Sequence, residues 1–283
     1  MANVAFLGTG LMGSAMIEAA LRRGDTVHAW NRTLDRARPL ERLGARVART
    51  PAEAVDGVER VHVLVSDDAA VDAVLEAMRP GLPRDALVVD HTTVSPAGTV
   101  SRFATCGRNG VRFLHAPVFM GPQHCREAQG LMLCAGPRAL FEHARPALQA
   151  MTGKLWYVGE RPDLAAAYKL FGNAMILTIT GGLSDVYQMA ARLGISPTEA
   201  HGVFSHFRPA ATIDLRGKNM AEGNFAPSFE LVMARKDVRL MIEAAAPAQL
   251  TLLPALARRM DEVIAAGHAH EDAGVIALEA VRG

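Results

Sequence analysis

A glycine-rich stretch near the start of the chain constrains the fold more than any other feature. The segment GTGLMG, residues 8–13, directly follows the apolar run 4–7 and opens a helical pattern over 12–23. A GxGxxG pattern alone is weak evidence, because glycine recurs in turns, but its place between a strand and a helix makes it specific. The three glycines suit a tight turn, a close approach of ligand to backbone, and close packing of helix on strand. The segment therefore predicts a dinucleotide-binding loop, with the pyrophosphate at a helix amino terminus.

The residues after the second predicted strand indicate which dinucleotide is bound. The strand Thr26–Trp30 is followed by Asn31, Arg32 and Thr33. An NAD site usually carries Asp or Glu here, which accepts hydrogen bonds from the ribose hydroxyls. Arg32 instead offers a permanent positive charge shaped for two hydrogen bonds to a phosphate, and Arg36 adds charge nearby. We therefore expect NADP(H) rather than NAD(H) as the cofactor.

Short β-rich runs and helical patterns alternate through the first half of the chain. Besides the first two strands, we predict strands over residues 46–48, 61–65, 87–90 and 112–116. Helical patterns lie between them over residues 35–43, 51–55, 69–78 and 96–109. Such alternation implies right-handed crossovers and a parallel, doubly wound sheet.

After about residue 159 the pattern becomes entirely helical. A long apolar helical run over 165–193 is followed by helical patterns over 197–204, 229–245, 251–266 and 272–279, and no strand is predicted after residue 158. Gly, Pro and charged residues cluster at 159–163. The predicted fold class is therefore α/β: a Rossmann domain over residues 1–162 and an all-α domain over residues 163–283, joined by a long interdomain helix.

Composition argues against several classes of function. A formal net charge of +1 leaves no basic stripe for nucleic acid. Three scattered cysteines, Cys106, Cys125 and Cys134, indicate reduced thiols, and so a cytoplasmic protein, rather than a disulfide framework. The run 174–183 is too short to span a bilayer, which takes roughly 20 residues, and the first residues lack a secretory pattern, so we expect no membrane partner. The ten histidines form no HExxH or comparable metal-binding cluster.

Several motifs, in order along nearly the whole chain, resemble those of the β-hydroxyacid dehydrogenase family. They are GTGLMG at 8–13, VDHTTVSP at 89–96, HAPV at 115–118, KLFGN at 169–173, KD at 236–237 and GH at 267–268. The family includes 3-hydroxyisobutyrate dehydrogenase and the glyoxylate/succinic semialdehyde reductases. The resemblance implies an oxidoreductase that transfers hydride between a nicotinamide and a small hydroxy acid, aldehyde or keto substrate. It also implies a helical domain that associates, so we expect a homodimer or homotetramer.

The resemblance assigns roles to particular residues. Lys169 falls on the family's catalytic lysine, which exchanges a proton with the substrate oxygen as hydride moves. Asn173 lies one helical turn later, on the same face, and would hold the substrate or orient the lysine. Lys236 matches a lysine that closes over the cofactor, with Asp237 beside it. The predicted cofactor-binding residues are Gly8, Gly10, Leu11, Met12, Gly13, Asn31, Arg32, Thr33, Val65, Thr93 and Lys236. The predicted substrate-binding residues are Phe119, Met120, Gly121, Gln123 and Asp237.

The substrate loop departs from the family pattern. Family members usually follow Ala-Pro-Val with a Ser-Gly-Gly or Ser-Gly-Ser run, which grips the substrate carboxylate. Here Phe119 stands at the serine position, Met120 at the first glycine, and only Gly121 remains. His115 replaces the usual Asp, and Gly172 replaces the first of the paired asparagines after the lysine. The substrate is therefore expected to be larger or less acidic than a three- or four-carbon hydroxy acid.

Two other functions remain open from the sequence. The apolar loop favours imine reduction, as in related imine reductases, although Lys169 argues against it, since those relatives usually carry Asp or Tyr there and a cation would oppose a developing iminium. Loss of the usual substrate loop is also compatible with a non-catalytic NADP-binding interaction module.

Overall fold

The computed structural model describes residues 1–282, and the chain divides into two compact units within it. The first unit is Met1–Asn173 and the second begins at Ala174. The long helix predicted to join two domains begins at Leu164, so the unit boundary falls inside it rather than at the predicted 162/163 junction.

Within the described residues one mixed sheet holds nine strands. In chain order, β1 to β9 are Asn3–Leu7, Thr26–Trp30, Arg46–Val47, Arg60–Val63, Leu87–Asp90, Arg112–His115, Val118–Phe119, Leu131–Ala135 and Lys154–Gly159. Their order across the sheet is β3-β2-β1-β4-β5-β6-β8-β7, and β9 pairs with β8. The first six strands are all parallel, which confirms the predicted doubly wound arrangement. The sheet does not stay parallel, because β8 runs antiparallel to both β6 and β7.

Four helices of the first unit agree with the predicted alternation, whereas those at Pro122–Arg126 and Arg138–Gln149 were not predicted. In the first unit α1 to α6 are Leu11–Arg22, Pro51–Val55, Asp68–Met78, Pro96–Arg108, Pro122–Arg126 and Arg138–Gln149. The remaining helices, α7 to α12, are Leu164–Arg192, Pro197–His206, Lys218–Ala221, Leu231–Ala245, Leu253–Val263 and Leu278–Arg282. The helix predicted over 35–43 is instead two 3₁₀ segments, Leu34–Arg36 and Arg38–Leu43. Pro39 lies at the start of the second segment and has no N–H to continue a longer helix.

Both faces of the sheet are covered, because successive residues of a buried strand point to opposite sides. Phe6 packs with α1 and α6 in one core cluster, whereas its neighbour Leu7 packs with α2 and α3 in the other. Each cluster is formed by buried apolar side chains. The carboxyl ends of β1, β4 and β5 are therefore fixed along one edge of the sheet, where ligands bind in folds of this type.

The second unit has a helical core of its own, built around Leu231, Val238, Met260 and Val275. No helix among residues 1–282 is long and apolar enough to cross a membrane.

Candidate active site

Two glycines of the 8–13 loop are required by the packing around them. Gly8 has φ of +112°, and a Cβ there would overlap the carbonyl oxygen of Leu64. A Cβ on Gly13 would overlap the carbonyl oxygen of Gly8. Gly10 is the N-cap of α1 and has open space where its Cβ would stand. The approach to the first backbone N–H groups of α1 is therefore clear, which is the arrangement that binds phosphate groups.

Asn31 joins the loop to the end of β2. Thr9 donates its backbone N–H to Asn31 Oδ1 (3.1 Å), and Asn31 Nδ2 donates to the carbonyl oxygen of Thr33 (2.8 Å). Gly8 donates its N–H to the carbonyl oxygen of Trp30 (2.8 Å). The side chain of Asn31 thus links the glycine loop to the segment that follows β2.

A cavity of about 570 Å³ lies beside this loop and contains the predicted Arg32 and Thr33. Its lining residues are Gly8, Gly10, Trp30, Asn31, Arg32, Thr33, Arg36, Pro51, Leu64, Val65, Ser66, Ala70, Ala73, Val74 and Ala77. The formal charges in this lining belong to Arg32 and Arg36 alone. Asp67 caps α3 nearby, and its pKa is lowered by the N–H of Ala70 and, to a smaller degree, by Arg32. The cavity therefore presents positive charge where the sequence predicted a phosphate.

A second cavity, of about 470 Å³, joins the loop to the predicted catalytic lysine. Its lining residues are Gly10, Leu11, Met12, Gly13, Leu64, Val65, Ser66, His91, Thr92, Thr93, Val118, Met120 and Lys169. The two cavities share Gly10, Leu64, Val65 and Ser66, so together they form one groove along the carboxyl edge of the sheet. Most residues predicted to bind the cofactor in the first unit line this groove, with Lys169 at its far end.

Lys169 is buried without an acidic partner. The residue is 9 % exposed, and its Nζ donates to Asn173 Oδ1 at 2.9 Å. Among residues 1–282 it has no ion pair with a carboxylate, and burial lowers the pKa of its ammonium group. An ammonium that is easier to deprotonate is a better proton donor near neutral pH. Lys169 and Asn173 are therefore hydrogen-bonded in the groove, and their predicted role in proton transfer remains a prediction.

Phe119 and Gly172 are in contact. The ring of Phe119 lies against α7, and a Cβ on Gly172 would overlap its Cζ and Cε1 atoms. The Nζ of Lys169 lies 4.1 Å from the centroid of the same ring, in a cation–π arrangement. Phe119 and Gly172, which both depart from the family pattern, are therefore in contact with each other next to Lys169.

Gly121 and Gln123, both predicted to bind substrate, lie outside the lining of the groove. The N–H of Gly121 donates to His124 Nδ1 (3.0 Å), at the start of α5. The amide of Gln123 bonds the carboxylate of Glu127. Met120 is the residue of this loop that reaches the groove, and it presents a thioether.

Lys236 and Asp237 belong to α10, in the second unit. Their side chains form an ion pair with Nζ and Oδ1 2.7 Å apart, and both are partly exposed. Their predicted contacts with cofactor and substrate remain predictions.

A buried histidine chain supports the groove, and the sequence analysis did not identify it. Arg60 Nε donates to His62 Nε2 (2.9 Å), so His62 must carry its proton on Nδ1 and donate to His91 Nε2 (2.9 Å). His91 in turn donates from Nδ1 to the carbonyl oxygen of Ala116 (2.7 Å). Burial lowers the pKa of His91 to about 4 and that of His62 well below its usual value. Both rings are therefore neutral, and they hold β4, β5 and the segment after β6 together.

Thr92 is a second support that the sequence did not reveal. Its Oγ1 accepts from the backbone N–H of Val65 (3.2 Å), and its own N–H donates to Asp90 Oδ1 (2.9 Å). The ring of His115 reaches the carbonyl oxygen of Thr92 at 3.1 Å. Burial raises the pKa of Asp90. These contacts fix the backbone on both sides of the groove. In the sequence they are indicated only by the polar residues that follow apolar strands.

A doubly wound sheet with a glycine loop and a charged groove at its carboxyl edge defines a nucleotide-binding protein. The chain matches the family model of the NAD binding domain of 6-phosphogluconate dehydrogenase over residues 3–159, and it belongs to this family. The match confirms the predicted Rossmann domain and the resemblance to the β-hydroxyacid dehydrogenases.

Similar proteins fall into two groups by name. The cytokine-like nuclear factor N-PAC of Homo sapiens is 33 % identical over 249 residues, which are 85 % of this chain and 44 % of that protein. The chain therefore spans less than half the length of N-PAC. The chloroplastic glyoxylate/succinic semialdehyde reductase 2 of Arabidopsis thaliana is 28 % identical over 92 % of this chain and 74 % of that protein.

Solved structures confirm the fold. An imine reductase from Myxococcus stipitatus in complex with NADP⁺ superposes with a TM-score of 0.89 at 23 % identity, over 97 % of this chain and 98 % of that one. At this identity the likeness concerns the arrangement of the elements.

Proposed function

We propose that this protein is an NADP(H)-dependent oxidoreductase that interconverts a carbonyl group and an alcohol in a small molecule. The observation that carries the proposal is Lys169, a buried and unpaired ammonium in the same groove as the glycine loop. When bound, the cofactor supplies or accepts the hydride.

The residues of the groove suit such a cofactor. Gly10 leaves the amino terminus of α1 open to a pyrophosphate, and Arg32 and Arg36 supply charge for a 2′-phosphate. The lining of this cavity has no carboxylate to repel that phosphate. We therefore propose NADP(H) rather than NAD(H).

Lys169 supplies the proton in the reducing direction. The carbonyl carbon gains a hydride and the oxygen gains a proton from Nζ, which yields the alcohol and a neutral amine. The oxygen of Asn173 holds the ammonium in place, and burial makes proton release easier. In the oxidising direction the neutral amine takes the proton back.

Replacing Lys169 by Ala tests this role. Removing a positioned proton donor costs about 10²- to 10⁴-fold in kcat. We expect such a loss in NADPH consumption with a panel of aldehydes and ketones, and unchanged NADPH affinity by fluorescence titration. Lys154→Ala, an exposed lysine on β9, is the control and should keep full activity. Undiminished turnover in K169A would contradict the proposal.

A second candidate, imine reduction, is favoured by two apolar side chains near Lys169: Met120 in the lining of the groove, and Phe119, whose ring lies 4.1 Å from Nζ. A cyclic imine in the same panel distinguishes the two activities. The 33 % identity to N-PAC is compatible with a third possibility, a non-catalytic binding module. Tight NADPH binding without turnover of any carbonyl or imine would favour that module.

We also propose that the protein is a homodimer or homotetramer in the cytoplasm. Six large apolar residues of α7 are exposed in the single chain: Leu170, Phe171, Met175, Ile176, Leu177 and Ile179. Such a cluster usually marks an interaction surface. Leu177→Glu is expected to lower the molar mass seen by light scattering, whereas Leu43→Glu, at another exposed leucine, in the first unit, should not. An unchanged mass in L177E would argue against association through α7.

The three free cysteines are all buried, as suits a reducing compartment.

A further inference from the structure

The contact between Phe119 and Gly172 links two positions that are far apart in sequence. Phe119 ends the short strand β7, and Gly172 lies within α7. The ring occupies the volume that any side chain at 172 would need, since even a Cβ would overlap it. The phenyl ring of Phe119, in the rotamer that it adopts here, therefore leaves no room for an asparagine at 172.

The ring also limits what Lys169 can bind. An ammonium has three N–H donors. One donates to Asn173 at 2.9 Å, and the face of Phe119 lies 4.1 Å from Nζ. Since the reacting oxygen needs a second N–H, at most one donor of Nζ remains for another substrate group.

The neighbouring loop offers no replacement for the lost anion receptor. The N–H of Gly121 is used by His124, and the amide of Gln123 by Glu127. The groove that contains Lys169 is lined by the apolar Val118 and Met120 and also by uncharged polar side chains, those of Ser66, His91, Thr92 and Thr93. Lys169 is the one cation in this lining, so a substrate carboxylate would compete with the reacting oxygen for the donors of Nζ.

We propose that Phe119 and Gly172 form one specificity-determining pair, which excludes small aldehyde and keto acids and selects uncharged carbonyl compounds. This inference rests on the proposed function and names its substrate class. Phe119 removes the hydroxyl of the usual substrate loop, and Gly172 makes room for the ring.

The test is a double-mutant cycle with F119S, G172N and the double variant F119S/G172N. The probes are succinic semialdehyde and its methyl ester, which share the aldehyde and differ in charge. We expect the native protein to prefer the ester, and the double variant to shift the ratio of the two kcat/KM values toward the acid by about tenfold (roughly 1.4 kcal/mol). The melting temperature of each variant is measured alongside.

G172N alone is expected to lower the melting temperature by more than G182N does. Gly182 is the matched control, because it lies on the same helix with open space at its Cβ position. Adding F119S should recover part of that loss in the double variant. F207S, at an exposed phenylalanine, is the control for the loss of a ring and should leave the substrate ratio unchanged.

The outcomes separate this inference from the function on which it rests. The specificity pair is contradicted if the double variant turns over both probes with the native ratio of kcat/KM values. It is also contradicted if the changes in melting temperature of the two single variants simply add in the double variant. Either result leaves the proposed oxidoreductase activity unaffected. Absence of NADPH consumption by every variant with both probes overturns the proposed function, and the pair with it.

Discussion

The guanidinium of Arg32 lies directly beyond β2 and shares its cavity with Thr33 and Arg36. A guanidinium can donate two hydrogen bonds to one phosphate, and each such charge-assisted bond contributes roughly 1.5–3 kcal/mol. The same group gains little from the two hydroxyls of an NAD ribose. The discrimination between the two cofactors should therefore depend on this single side chain more than on any other.

Arg32→Gln is expected to weaken NADPH binding by about 10-fold to 100-fold, which corresponds to the loss of one such bond. Affinity for NADH should change little. Fluorescence titration with each cofactor measures both quantities. Arg22→Gln, at the exposed end of α1, is the control and should alter neither affinity. An equal loss for NADPH and NADH would mean that Arg32 does not contact the 2′-phosphate.

Among the helices, α11 depends on a side chain from another helix. Its N-cap residue, Leu252, offers no side-chain acceptor. Asp185 of α7 instead accepts the backbone N–H groups of Thr251, Leu252 (2.9 Å) and Leu253 (3.0 Å). Burial raises the pKa of Asp185, but these three donors together lower it below its usual value. One carboxylate thus satisfies the start of α11 and joins it to α7.

Asp185→Ala leaves three N–H groups without this acceptor at a partly buried helix start. We expect the free energy of unfolding to fall by about 2 kcal/mol or more, measured by urea denaturation. The exposed cap of α8 provides the comparison, since Ser196→Ala removes one such bond and should cost about 1 kcal/mol. A smaller loss in D185A than in S196A would show that α11 does not need this cap.

Across the whole molecule, the sequence predicts best those elements whose structure depends on their own residues. The central parallel strands are continuous apolar runs, so β1, β2 and β5 were found within one residue of their bounds. The strand β8 was not predicted, and its antiparallel direction follows from its pairing with β6 and β7 rather than from its own residues. The contact between Phe119 and Gly172 was likewise not predicted, because the two residues are far apart in sequence and come together only in the folded chain.

The buried histidines His62 and His91 connect the site to the stability of the whole first unit. Their folded pKa values lie below the unfolded value of 6.5, so the unfolded chain takes up protons first as the pH falls. Stability is therefore complete above pH 6.5 and is lost as the pH falls toward the folded pKa. For His91, with a pKa of about 4, the loss approaches roughly 3 kcal/mol.

His62→Gln keeps an acceptor for Arg60 and a donor for His91 but cannot titrate. We expect its free energy of unfolding to depend less steeply on pH, by nearly one proton, in the interval below 6.5. Urea denaturation at a series of pH values gives the slope. His206→Gln, at an exposed histidine, should keep the native slope. If H62Q also kept it, the acid sensitivity would have to come from His91 and from carboxylates such as Asp185, whose lowered pKa places their loss of stability at more acidic pH.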